Sequence, residues 1–206
     1  MGFKYKKGWS VSNGKPTFTF VISSNELAFG GMAKTIYETD NINEYIDFCK
    51  FGSAKKLMLI DINQSDYDLI IEELHELIEE LEVCYYKHLD VINHYILEKC
   101  KNLKSVVING SLNEFNLWNL SENNLLDKLE VVGLNKFNNQ ENLKNSSVRE
   151  LTIRNRSYRL SDTDVPVIYD FSLFESMPNL EKLDLPNSLS YLYSNTFDGC
   201  SLLTEV

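Results

Sequence analysis

The sequence predicts an α/β solenoid: short strands stacked into a parallel sheet on one face, helices and loops on the other, and an N-terminal β-hairpin cap. Three observations carry this. The apolar spacing L-x-x-L-x-L recurs with a period near 23 residues, a second apolar column keeps step with it, and a hairpin signal precedes the first copy. A unit of that length cannot bury its apolar edge alone, so neighbours must stack.

The spacing is clearest near the end of the chain, as Leu180-x-x-Leu183-x-Leu185. It recurs as Val148-x-x-Leu151-x-Ile153, Leu126-x-x-Leu129-x-Val131 and Leu103-x-x-Val106-x-Ile108. Further copies read as Leu81-x-x-Cys84-x-Tyr86 and Leu57-x-x-Ile60-x-Ile62, and Leu203-x-x-Val206 begins another. The anchors at 57, 81, 103, 126, 148, 180 and 203 are separated by steps of 24, 22, 23, 22, 32 and 23. The long step reads as an insertion of about nine residues within 154–167, on the loop logic of solenoids.

Eleven residues before each anchor stand Ile46, Ile70, Ile92, Phe115, Phe137, Tyr169 and Leu192, all large and apolar. Six before stand Phe51, His75, Leu97, Leu120, Asn142, Phe174 and Phe197, which places Phe51 and His75 in the core. The strand half of each unit alternates apolar and polar, as a half-buried strand should. Glu44–Phe51 and Asp66–Glu80 carry helical spacing, the second with Ser65 or Asp66 as N-cap, and Asp90–Lys99 also reads as helix. Later returns, richer in Asn and Ser, read as short helical turns or irregular loops. Trp9–Ile22 reads as a hairpin turning at Asn13-Gly14, with Pro16 at an edge position. The expected organisation is a cap over 1–33 and a solenoid over 34–206.

Phe197-Asp198-Gly199-Cys200-Ser201-Leu202-Leu203 and Leu183-Asp184-Leu185-Pro186-Asn187-Ser188-Leu189 resemble the BspA-type bacterial leucine-rich repeat. Cys100-Lys101-Asn102-Leu103-Lys104-Ser105-Val106 is similar to the same block. The resemblance covers about 45–206. It implies a leucine-rich-repeat solenoid that binds a protein or another ligand on its sheet, and it brings no catalytic residues. The helix at 66–80 is long for the family.

The 206 residues carry a formal charge of -10, which opposes nucleic-acid binding because phosphate demands a basic surface. The charge is uneven: 1–56 is net +3 and 57–206 is net -13, with eight acids from Asp66 to Glu82. No apolar run approaches a membrane span. No apolar core follows the basic start, so a secretory leader is not expected and a cytoplasmic, bacterial protein is. The four cysteines lack CxxC spacing and read as reduced thiols, with Cys84, Cys100 and Cys200 as small core residues. His75-Glu76 lacks the second histidine of a metalloprotease motif, and no Gly-rich phosphate loop is present. No cofactor, metal or enzymatic activity is expected. The acid run reads as a solvated helix face.

Function is expected instead on the outward face of the sheet, which strand alternation identifies. The central column is Asp61, Tyr85, Val107, Glu130, Thr152 and Asp184. One flank adds Asn63, Lys87, Asn109, Val132, Arg154 and Pro186, and the other Leu59, Val83, Ser105, Lys128, Glu150 and Lys182. From these, Asp61, Tyr85, Lys87, Val107, Asn109, Glu130, Thr152, Arg154 and Asp184 are the candidate partner-binding residues. The expected partner is another protein, and a basic one if the chain is an inhibitor or immunity protein that masks a basic toxin or nuclease. A carbohydrate-binding or adhesion module is the third class. The strand beginning at Leu203 offers an edge through which a second copy could pair as a homodimer.

Overall fold

The computed structural model describes residues 4–12, 15–23, 38–39, 41–60, 62–84, 95–116, 123–138, 147–154, 174, 177–185 and 196–206. The sequence hairpin is present. Strands β1 (Lys4–Ser12) and β2 (Lys15–Ser23) pair antiparallel in a continuous register from Lys4↔Ser23 to Ser12↔Lys15. A short β3 (Glu38–Thr39) closes the outer side of β1. β2 then pairs in parallel with β4 (Lys56–Ile60), beginning at Phe20↔Leu57, so Pro16, opposite Val11 in the hairpin, lies before the stretch that pairs with β4.

From β4 the chain is a stack. β5 (Glu80–Cys84), β6 (Ser105–Asn116), β7 (Lys128–Asn138), β8 (Glu150–Arg154) and β9 (Lys182–Asp184) follow in sequence order in one sheet, nine-stranded among the described residues. Every neighbouring pair from β4 to β9 is parallel. One core runs behind the sheet, lined by Leu57, Leu81, Val106, Leu129, Leu151 and Leu183 and closed by the return segments.

Helix α1 (Ile42–Phe51) turns Tyr45, Ile46 and Cys49 inward, and the Asn41 side chain accepts from the Asn43 N–H. Helix α2 (Gln64–Leu74) buries Tyr67, Ile70, Ile71 and Leu74. Its N-cap is Asn63, whose side chain accepts from the Asp66 N–H at 2.9 Å. The helix therefore starts before the expected Ser65 or Asp66 and ends at Leu74 rather than Glu80. The acids from Glu79 onward belong to the next turn and to β5. The third return is a 3-10 helix over Tyr95–Lys99. After Gly110 the later returns differ from the expected turns. β6 and β7 pass an irregularity between Asn109 and Leu112 and pair again through Phe115↔Phe137.

The strand register corrects the first two repeats. Leu57 pairs with Leu81, and Leu81 with Val106. The anchors equivalent to Leu103 are thus Ala54 and Ile78, both buried, three residues earlier than the sequence spacing suggested. The cause is degeneracy. Apolar residues at 57, 59, 60 and 62 satisfy the spacing twice, and the helix ends decide between the two frames. Cys49 and Leu74, at 0% and 1% exposure, enter the core at the end of each helix. Phe51 is turned out to 92% exposure, and His75 is half-buried with Nδ1 2.7 Å from the Glu72 carbonyl. Neither is the core residue expected.

The edge of the stack is stitched by one carbonyl per repeat that accepts two N–H groups. Lys55 receives Glu79 and Glu80, Glu79 receives Lys104 and Ser105, Lys104 receives Asp127 and Lys128, and the pattern continues through Asp127, Arg149 and Glu181. Asn123, buried in the column of Cys100, donates to the Leu97 and Cys100 carbonyls at 3.4 and 2.5 Å. Cys200 closes the far end by donating to the Phe174 carbonyl at 2.9 Å.

Candidate functional site

The outward face is built by the strand residues between the core positions. In the observed register its central column is Met58, Glu82, Val107, Glu130, Thr152 and Asp184. The candidates Val107, Glu130, Thr152 and Asp184 are therefore neighbours as expected, and Asn109 and Arg154 flank them along their strands. For Asp61, Tyr85 and Lys87 the expected strand neighbours are corrected. Their own positions lie outside the described residues, but the places assigned to them beside Val107 and Asn109 belong to Met58, Glu82, Ile60 and Cys84. Leu59 and Val83, expected outward, are wholly buried. Asn63 caps α2.

Ile60 and Cys84 are 2% and 5% exposed and lie outside the core cluster. They stand on the outward side by alternation, so the chain covers that side at β4 and β5. The open part of the face therefore lies further along. It holds a groove of about 800 Å³ over β5–β8, lined by Glu82, Val107, Asn109, Lys128, Glu130 and Glu150 among others, with Leu125 at its rim.

Most charges along this groove are neutralised sideways, from strand to strand. At the turn before each strand stand Lys55, Glu79, Lys104, Asp127, Arg149 and Glu181, strictly alternating in sign. Glu79 bridges Lys55 and Lys104 at 2.5 Å each, and Arg149 bridges Asp127 at 2.5 Å and Glu181 at 3.7 Å. The next column carries Lys56–Glu80 and Glu150–Lys182 pairs at 3.0 Å. Lys128 meets Glu130 at 3.3 Å, and Arg154 forks onto Asp184. The two lysine ammoniums hold the Glu79 carboxyl down at about 2, and Asp127 raises Arg149. Sequence reasoning missed these two columns. Their signal was available as an alternation of sign at repeat spacing, but only in the correct register.

Glu82 is the exception. No cationic side chain pairs with it among the described residues, its contact being the Cys84 Sγ at 3.5 Å from Oε1. Burial pushes its carboxyl up, against the opposing pull of the Cys84 thiol, Lys56 and Lys128.

The cysteines suit packing. Burial raises the Cys100 thiol to about 12 and also raises Cys200, so neither is a ready thiolate. Among the described residues no group of three or more His, Cys, Asp or Glu could hold a metal ion. No helix among them is long and apolar enough to cross a membrane.

The family model of the BspA type leucine rich repeat region matches in six copies over 25–144, 77–165 and 113–206. The chain is a BspA-type leucine-rich-repeat protein. No curated protein matches it. A solved structure similar to this BspA-type chain is the "Crystal structure of TLR13-ssRNA13 complex", at 16% identity and a TM-score of 0.50. That match covers 80% of this chain and 30% of the other, so the BspA-type stack spans about a third of that protein's length. At such identity the likeness is one of fold. Membership and fold together make the BspA-type chain a repeat module of the interaction class.

Proposed function

We propose that the chain is a non-enzymatic protein-binding module that uses the open outward face of its sheet. The observation that carries this is the groove over β5–β8. It is an open groove with Val107 and Leu125 as apolar ground, set among charges of both signs that are paired within a strand or with the next one. Side chains held in place before the partner arrives lose less entropy on binding. A polar rim around a small apolar centre is also how protein interfaces are composed. A single-stranded RNA, as in the TLR13 complex, is a poor occupant here, since Lys56, Lys104, Lys128 and Arg149 in the lining are outnumbered by acids and the chain carries a net charge of -10.

The test is affinity capture from lysate of the source cell, with the charges of Glu130 and Arg154 reversed in one variant and those of Lys50 and Glu73, a pair on the helices, in another. A protein retained by wild type and by the helix variant, and lost from the groove variant, supports the reading. Equal retention by all three overturns it.

A narrower version is favoured by charge: the partner is basic, and the module masks a basic toxin or nuclease. Long-range attraction from a chain of net charge -10 would accelerate such an encounter. An association rate that falls steeply with salt supports this version, and a flat one removes it.

A further inference from the structure

Among the described residues, one carboxylate in the groove lining makes no ion pair. Lys56 is engaged by Glu80, Lys104 by Glu79, Lys128 by Glu130, and Arg149 by Asp127. The carboxylate of Glu82 has no such cation. It stands directly beside Val107, and Val107 beside Glu130, in the registers of β5, β6 and β7. Neighbouring strands lie about 4.8 Å apart, so the two acidic residues flank the valine with roughly 10 Å between their backbones. That is space for one elongated side chain.

We propose that this place receives a basic side chain, lysine or arginine, of the protein partner. Its charged head lies between Glu82 and Glu130, and its aliphatic stem runs over Val107 toward Leu125. The inference rests on the reading that the outward face binds a protein, and it names the chemistry of the contact. Long basic side chains bury their stems on apolar ground while their heads seek polar partners. Leu125, half exposed at the rim, supplies such ground. The cost of withdrawing Glu82 from water is already met in the fold, as its raised carboxyl shows, so an incoming cation gains attraction without that loss. An acidic group from a partner would find no free cation in the described lining.

The test is an NMR titration of the full chain with N-acetyl-arginine amide, with the neutral N-acetyl-citrulline amide as shape control. The expected result is a saturable shift of the Val107 methyl and Glu82 carboxyl signals with the arginine compound only. Glu82→Gln weakens that binding at least tenfold while melting at the wild-type temperature or above. Glu76→Gln, an exposed acid outside the groove lining, changes nothing. Shifts that miss Val107, that appear equally with citrulline, or that survive Glu82→Gln overturn the proposal. Capture of the partner separates the two readings. If capture needs Glu130 and Arg154 but tolerates Glu82→Gln, the basic side chain is wrong and the face stands. If arginine binds at Val107 through Glu82 but capture ignores the face, the face reading falls.

Discussion

Glu79 and Glu82 lie three residues apart, and the fold treats their carboxyls in opposite ways. Glu79 is lowered from 4.5 to about 2 by the Lys104 and Lys55 ammoniums. Its contribution to stability is complete above the usual carboxylate range and disappears as pH falls from about 4.5 toward 2. Glu82 is raised by burial, so its native state prefers the proton. Stability linked to Glu82 is present below pH 4.5 and is lost as pH rises through its higher native value. Chemical denaturation across pH should therefore show Glu79→Gln flattening the acid-side loss. Glu82→Gln should leave the acid side alone and raise stability at neutral pH. The second result would mark Glu82 as a residue kept at some cost to the fold. At the core, Leu183→Ala should cost about 2–5 kcal/mol, while the neighbouring outward Asp184→Ala, which loses an exposed pair with Arg154, should cost at most about 1 kcal/mol. Equal costs in denaturant titration would contradict the observed strand faces.

At the scale of elements, each repeat is tied to the last by a shared carbonyl at the turn, and at Asn123 and Cys200 also by a buried side chain that donates back. Asn123 donates to two carbonyls of the preceding unit that also accept the Cys100 and Leu103 N–H groups, so Asn123→Ala should cost about 0.5–1.5 kcal/mol, the worth of the lost bonds. Asn123→Leu should not recover that loss, because its side chain donates no hydrogen bond. Denaturant midpoints of the two variants check both statements. This scale also shows what the sequence could reveal. From Leu103 onward, one leucine-like anchor, one strand pair and a Cys, Asn or Met three residues earlier leave a single frame, and Val107, Glu130, Thr152 and Asp184 fall where alternation puts them. At Leu57–Ile62 the apolar residues crowd too closely for spacing to choose. The choice is made by where α1 and α2 stop, which depends on the packing of Cys49 and Leu74. Asp61, Tyr85 and Lys87 were assigned in the frame that loses. The groove was legible only through its central column, since the turn residues that complete its lining take their places from the register.

Over the whole molecule, strand pairing passes only between neighbours in the stack, so stability is distributed along one dimension. Hydrogen exchange should be slowest in β5, β6 and β7, which have partners on both sides, and faster in β9, whose outer side meets only the Lys182–Glu205 bridge among the described residues. Slower exchange in β9 than in β6 would mean that the far end is held by something besides its strand pairing. The alternating turn charges add a rule of parity. Lys55, Glu79, Lys104, Asp127, Arg149 and Glu181 take opposite signs at each step. Removing the unit that carries Lys104 would set Glu79 against Asp127, like against like, which is unfavourable across adjacent strands. Removing the units of Lys104 and Asp127 together would set Glu79 against Arg149 and preserve the attraction. A lineage of such chains could therefore shorten or lengthen by two units with little electrostatic penalty, but a change by one would leave a seam of repulsion at the join.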